Sequence, residues 1–173
     1  MRITTLMMIT MAAAAFMLAA GNAQARLGWT IDDCQNMWGA PTKVQLVPAL
    51  NETCFTFPAQ SNLFVQVYLL DDMVQDINYV SRSKAFLLKN ANQFLQTNVS
   101  GLWKVYDDGR GKETLNSWQY TDPDQGVIAY AIFWSKPDAD GFYKLQIATD
   151  LWSDSVSGSS AANQGPSSGN LHI

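Results

Sequence analysis

The sequence predicts an α+β fold made of two helix-plus-four-stranded antiparallel meander units in tandem. Three observations carry that prediction. Residues 31–38 and 85–97 place apolar side chains at helical spacing. Eight runs of strand length, divided by short polar turns, follow in two sets of four, one set after each helical segment. Residues 26–81 and 82–152 therefore repeat one order of elements with different side chains in each. A unit of about 60 residues buries too little surface to be more than marginal alone. Two of them gain by sharing an edge or packing together, and helices set against an antiparallel sheet define the α+β class.

The elements begin after a leader. Arg2 precedes an apolar run, Leu6–Ala20, and Ala23-Gln24-Ala25 fits the small-x-small pattern of signal-peptide cleavage. That run is 15 residues, short of the ~20 that cross a bilayer. No second hydrophobic span follows, and no cysteine stands at the cleavage point to carry a lipid. Residues 1–25 are expected to be removed as a signal peptide, leaving a mature chain that starts at Arg26, periplasmic or secreted, with no stable membrane insertion. Removing 25 of 173 residues leaves 148, with 10 basic and 15 acidic side chains and a formal net charge of −5. Nucleic-acid affinity rests on clustered Lys and Arg. No basic run occurs here, so no nucleic acid is expected among the partners.

In the first unit Thr30 is a helix N-cap, and Asp32 and Asp33 occupy the first turn, where the helix dipole favours negative charge. Ile31, Cys34 and Trp38 share one apolar face. Gly39 supplies the C-terminal stop, and Pro41 keeps the helix from resuming. Strands are expected at Lys43–Val47, Cys54–Pro58, Leu63–Leu70 and Met73–Ser81, the last two joined by a tight hairpin at Asp71-Asp72. In the second unit a helix over Ala85–Thr97 precedes strands at Leu102–Tyr106, Ser117–Thr121, Val127–Trp134 and Phe142–Trp152. The gaps DDGRGK, TDPDQG and KPDADG have turn chemistry.

From Ser153 to Ile173 the chain is rich in Ser, Gly and Asn and has almost no apolar side chain, the composition of a disordered tail. It holds the only histidine, His172, which has no fixed neighbours there and so no held geometry for general-base work.

The opening L-G-W-T-x-D-D-C-x-x-x-W-G-A-P, followed by a meander containing Phe64-Val65-Gln66-Val67-Tyr68-Leu69, resembles the SmpA/OmlA-type domain. The residues that carry the likeness are Gly28, Thr30, Gly39 and Pro41, all in the first unit. That family includes small outer-membrane assembly lipoproteins, and two such units in tandem are similar in layout to the β-lactamase inhibitory protein. The resemblance implies a helix-plus-meander fold. The second unit matches in element order only, without a G-x-P after its helix, and the lipid-attachment cysteine of the lipoprotein members is missing.

Cys34 falls on the apolar face of the first helix and Cys54 opens the second strand. An exported chain with two cysteines favours a disulfide between them. By chain entropy a loop of this length contributes roughly 3 kcal/mol. A reactive thiol would need a neighbouring base or a C-x-x-C spacing, and neither is present. Two cysteines and a tail histidine make no tetrahedral metal set, and the segments D-P-D-Q-G and P-D-A-D-G lack the rest of a calcium loop. No metal and no cofactor are expected.

No nucleophile elbow, phosphate loop or zinc helix is present, so no catalytic residue is assigned. The aromatic residues are more informative. In Val127–Trp134, alternation sets Val127, Ala129, Ala131 and Phe133 against Ile128, Tyr130, Ile132 and Trp134. The small alanines suit the side facing a helix. Tyr130 and Trp134 then lie on the other face, joined by Trp118 and Tyr120 from the neighbouring strand. Such Tyr and Trp clusters are typical of binding hot spots. Strands apolar on both faces are also typical of sheets covered on both, and both readings stay open. The sequence thus leads to an exported, non-catalytic protein-binding module that uses Trp118, Tyr120, Tyr130 and Trp134. The alternative is a secreted or periplasmic hydrolase working through paired carboxylates.

Overall fold

Thr30 starts the first helix as its residue type requires. The computed structural model describes residues 26–47, 52–124 and 126–150, so residues 1–25 and the polar tail lie outside the described residues. Helix α1 spans Ile31–Trp38. The Asp33 amide donates to Thr30 Oγ1 at 3.3 Å, and the Thr30 amide donates to Asp33 Oδ2 at 2.9 Å. This reciprocal box satisfies two amides that the helix leaves open at its start. Gly39 ends the helix at φ +80°, a conformation that costs glycine nothing.

Strands β1 (Lys43–Val47), β2 (Glu52–Gln60), β3 (Leu63–Leu70) and β4 (Met73–Ser81) follow. Asp71 and Asp72 both take positive φ, 52° and 62°, the mirror-image turn whose twist suits a two-residue hairpin. Helix α2 (Lys84–Asn98) is capped by Ser83, whose Oγ accepts from the Phe86 amide at 3.2 Å. Then come β5 (Trp103–Val105), a short 3-10 turn at Gly111–Glu113, β6 (Thr114–Asp122), β7 (Gly126–Trp134) and β8 (Tyr143–Thr149). Of the last expected strand, Leu151 and Trp152 lie outside the described residues.

The fold is α+β: among the described residues there are two α-helices and one eight-stranded sheet, antiparallel throughout, in the order β1-β2-β3-β4-β8-β7-β6-β5. β2 and β6 run longer than expected because polar residues such as Glu52, Thr53 and Asn116 extend their ladders. At the centre, β4 pairs with β8 and sets Ile77 against Ile147 and Tyr79 against Leu145. All four side chains are fully buried. Helix α2 lies over this junction, and its Phe94 ring stacks on Tyr79 with centroids 4.1 Å apart. Helix α1 covers β2, where Trp38 meets Phe57 at 5.3 Å.

The cysteines do not form the expected disulfide. Both are free and buried. Cys34 belongs to the apolar core beneath α1. On β2, Phe55 and Phe57 turn toward that core, so alternation turns Cys54 to the opposite face, where it lies in register with Tyr68 and, beyond it, Asp76. The sheet itself separates the two sulfur atoms. Burial pushes the Cys34 thiol up to about 12, aided by the charge of Asp33, and burial also raises the Cys54 thiol.

Candidate functional site

Strand β7 divides its side chains as its alternation predicts. Ala129, Ala131 and Phe133 are buried in the core, which leaves Tyr130, Ile132 and Trp134 on the face away from the helices. Trp118 and Tyr120 do not join them. Register pairs Trp118 with Ala131 and Tyr120 with Ala129, which places both rings on the helix side, packed against the core. A large ring beside a small alanine fills that layer. Gly101 confirms how tightly Tyr120 is held, because a Cβ at Gly101 would fall 2.5 Å from the Tyr120 ring. The expected cluster of four aromatics is therefore split between two faces.

On the open face each of the two remaining rings has acquired neighbours. Tyr130 lies 5.8 Å from the Tyr106 ring. Two cations approach the Trp134 ring, the Arg110 guanidinium at 5.9 Å and the Lys144 ammonium at 5.2 Å. Arg110 is held by the loop after β5. Asp108 accepts from the Arg110 amide at 2.9 Å and from the hydroxyls of Ser117 and Thr114, and its carboxylate lies 3.5 Å from the Arg110 guanidinium. Although burial works against it, these hydrogen bonds and the Arg110 charge hold the Asp108 carboxyl below its ordinary value. The Trp134 indole N–H is buried and meets no acceptor among the described residues.

Beside Trp134 the face opens into a groove of about 460 Å³. Gln66 of β3, Val80 of β4, Lys144 of β8 and Trp134 of β7 line it, so it straddles the β4–β8 junction. Glu113 and the turn at Lys136, Pro137 and Asp138 form its wall, with Phe142. The turn is pinned by Asp138, whose Oδ1 accepts from the amides of Asp140 at 3.0 Å and Phe142 at 2.9 Å. Phe142 in turn meets the Phe64 ring edge-on at 6.1 Å and carries the Arg82 guanidinium at 4.9 Å. Sequence reasoning missed Phe142, Arg82 and Arg110. They come from loops and strand ends, where no periodicity marks a face.

Farther along the same face lies a polar patch. Cys54, Tyr68 and Asp76 are in register across β2, β3 and β4, and Glu52 precedes Cys54 by one alternation. Burial pushes the Asp76 carboxyl up to about 7, and the Glu52 charge adds to the rise. A hydrogen bond from Gln146 Nε2 at 2.6 Å and the Lys144 charge pull it down. Burial alone raises Glu52 to about 7. One oxygen each of Glu52, Asp76 and Asn78 has no donor among the described residues. Among the described residues, His, Cys, Asp and Glu nowhere gather in threes that could hold a metal ion, and no helix is long and apolar enough to cross a membrane.

No protein-family model and no curated protein matches the chain. Among solved structures it is similar to a cysteine-rich secretory protein from Staphylococcus aureus subsp. aureus Mu50, at 11% identity and a TM-score of 0.39. The match covers 73% of this chain and 45% of the other, so the chain spans less than half of that protein's length. A likeness of that degree leaves fold and function to be argued from the chain itself.

Proposed function

We propose that the chain is an exported, non-catalytic protein-binding module of the cell envelope or extracellular space, built from two helix-plus-meander units. Residues 26–81 and 82–152 are those units, and their likeness in layout to tandem SmpA/OmlA-type domains belongs to this proposal. The observation that carries the reading is the groove across the β4–β8 junction. Four strands, two from each unit, contribute to it, and it brings Trp134, Phe142 and Lys144 to one side of a broad sheet. Large rings with cationic neighbours and an unmatched indole N–H are the makings of a hot spot. Trp134 remains in the binding role, and Tyr130, on the same face of β7, is kept with it. Trp118 and Tyr120, half-buried on the helix side, pack against the core instead.

Trp134→Ala and Phe142→Ala test the proposal. Both rings are only partly buried, so each variant should keep its thermal midpoint within a few degrees. Each should lose partners that co-purify with wild-type chain from the envelope fraction, at a cost of about 2 kcal/mol or more in binding. An unchanged set of partners, or a large fall in midpoint with no loss of partners, would put these rings in the scaffold and end the proposal.

One observation favours the hydrolase alternative. Glu52 and Asp76 are two carboxyls on one sheet face, both raised to about 7, as general acid–base chemistry at neutral pH requires. Neither lines the groove, and each is at most 5% exposed. Glycan or ester hydrolysis that disappears in Glu52→Gln would establish this reading over the first.

A further inference from the structure

The eight-stranded sheet ends in two edges, β1 and β5. An edge strand presents unpaired N–H and C=O groups, and soluble proteins blunt such edges with shortness, proline, bulges or charge. β5 is three residues long with Lys104 at its centre. β1 is different. It is five residues, Lys-Val-Gln-Leu-Val, four of them exposed, and among the described residues it pairs, in continuous register, with β2 alone. No proline or bulge interrupts it, and its one charge, Lys43, is at its end.

The edge is also apolar on one side. Val44 and Leu46 are 55% and 64% exposed. Val44 is in register with Phe55, which packs on the core, so both side chains belong to the helix-bearing face. Helix α1 reaches β2 and leaves them uncovered. Exposed apolar side chains beside an unpaired edge call for another strand.

The sequence of β1 says which strand. Read antiparallel against itself about Gln45, Lys-Val-Gln-Leu-Val sets Gln45 on Gln45, Val44 on Leu46 and Lys43 on Val47. Each exposed apolar side chain then meets an apolar partner on its own face, and no two like charges are opposed. Pairing β1 with the β5 edge of another copy would instead be head-to-tail and would build a ring or an open filament rather than a twofold pair, and it would bring the short, Lys104-bearing β5 edge against β1. We infer that β1 is a self-association edge, where it pairs antiparallel with β1 of a second copy of this chain across a twofold axis. The two sheets become one continuous sheet, with Val44 and Leu46 of both copies covering one another between the two α1 helices. The pair displays two grooves on one sheet surface, one from each copy.

Single cysteines read both the contact and its register. Gln45→Cys places a thiol on the axis, where Cα atoms of directly opposed residues are about 4.5–5.5 Å apart and a disulfide can form. Lys43→Cys places the two thiols about 13–14 Å apart, too far to bond. The native cysteines are buried and stay out of the reaction. Under mild oxidation the Gln45→Cys chain should run as a covalent dimer on non-reducing gels, and the Lys43→Cys chain as a monomer. Sedimentation velocity should show wild-type mass rising toward twice the monomer with concentration. The Val44→Asp/Leu46→Asp chain should stay monomeric with an unchanged circular dichroism spectrum. A wild-type chain that stays monomeric throughout, equal cross-linking at both positions, or a dimer that survives the double substitution overturns the inference.

Discussion

Cys54 is decided by a single step of alternation. Phe55 and Phe57 are drawn to the core, and the residue between Thr53 and Phe55 therefore faces the other way, away from Cys34. Both thiols are buried, and burial raises both. Thiolate is the reactive form, so neither cysteine should react with an aromatic disulfide reagent in the native chain, and both should react in denaturant. An intact mass lighter by two hydrogens than the reduced sequence would instead demonstrate the bridge. The same step of alternation explains the aromatic residues. The composition of β6 marks Trp118 and Tyr120 as large and apolar, but their face depends on which residues of β7 they oppose. Pairing with Ala131 and Ala129 sends them to the core.

At the scale of elements, α1 is legible because its signals are local. Thr30, Asp33 and Gly39 act within one helix length, and the helix lies between them as the sequence predicts. The polar patch is not legible, because β2 and β4 meet only through β3. Its consequence is a pH dependence. Asp76 and Glu52 rise from ordinary values of 3.8 and 4.5 to about 7. Between those limits the folded chain holds protons that the unfolded chain has released, so this contribution to stability is full at the acid end and is lost as pH rises through about 7. Asp33 has the opposite sign, since hydrogen bonds from Thr30 lower it, but its contribution is lost only as pH falls below 3.8. The thermal midpoint of the wild-type chain should therefore decline from about pH 5 to about pH 8. Asp76→Asn, neutral throughout, should decline less. An equal slope in both chains would show that Asp76 does not titrate in this range.

Across the whole molecule the β4–β8 junction is the decisive contact. It joins the first four strands to the last four, and α2 lies upon it. Ile147 is fully buried there against Ile77. Ile147→Ala should cost about 2–5 kcal/mol. Because the core is continuous across the junction, the loss should appear equally in amide hydrogen exchange of β3 and of β7. Loss confined to β7 would mean that the two halves unfold independently.

The start of α1, the Asp71-Asp72 hairpin and the two faces of β7 were determined by the sequence itself, because each rests on neighbours within a few residues. The tertiary structure alone decided that β4 pairs with β8, that Cys34 and Cys54 stand on opposite faces, that Arg110 and Lys144 approach the Trp134 ring, and that Trp134 shares a groove with Phe142. These depend on register between strands distant in sequence. A shift of one residue exchanges every side chain between core and solvent, and only the packing of the assembled sheet selects among registers.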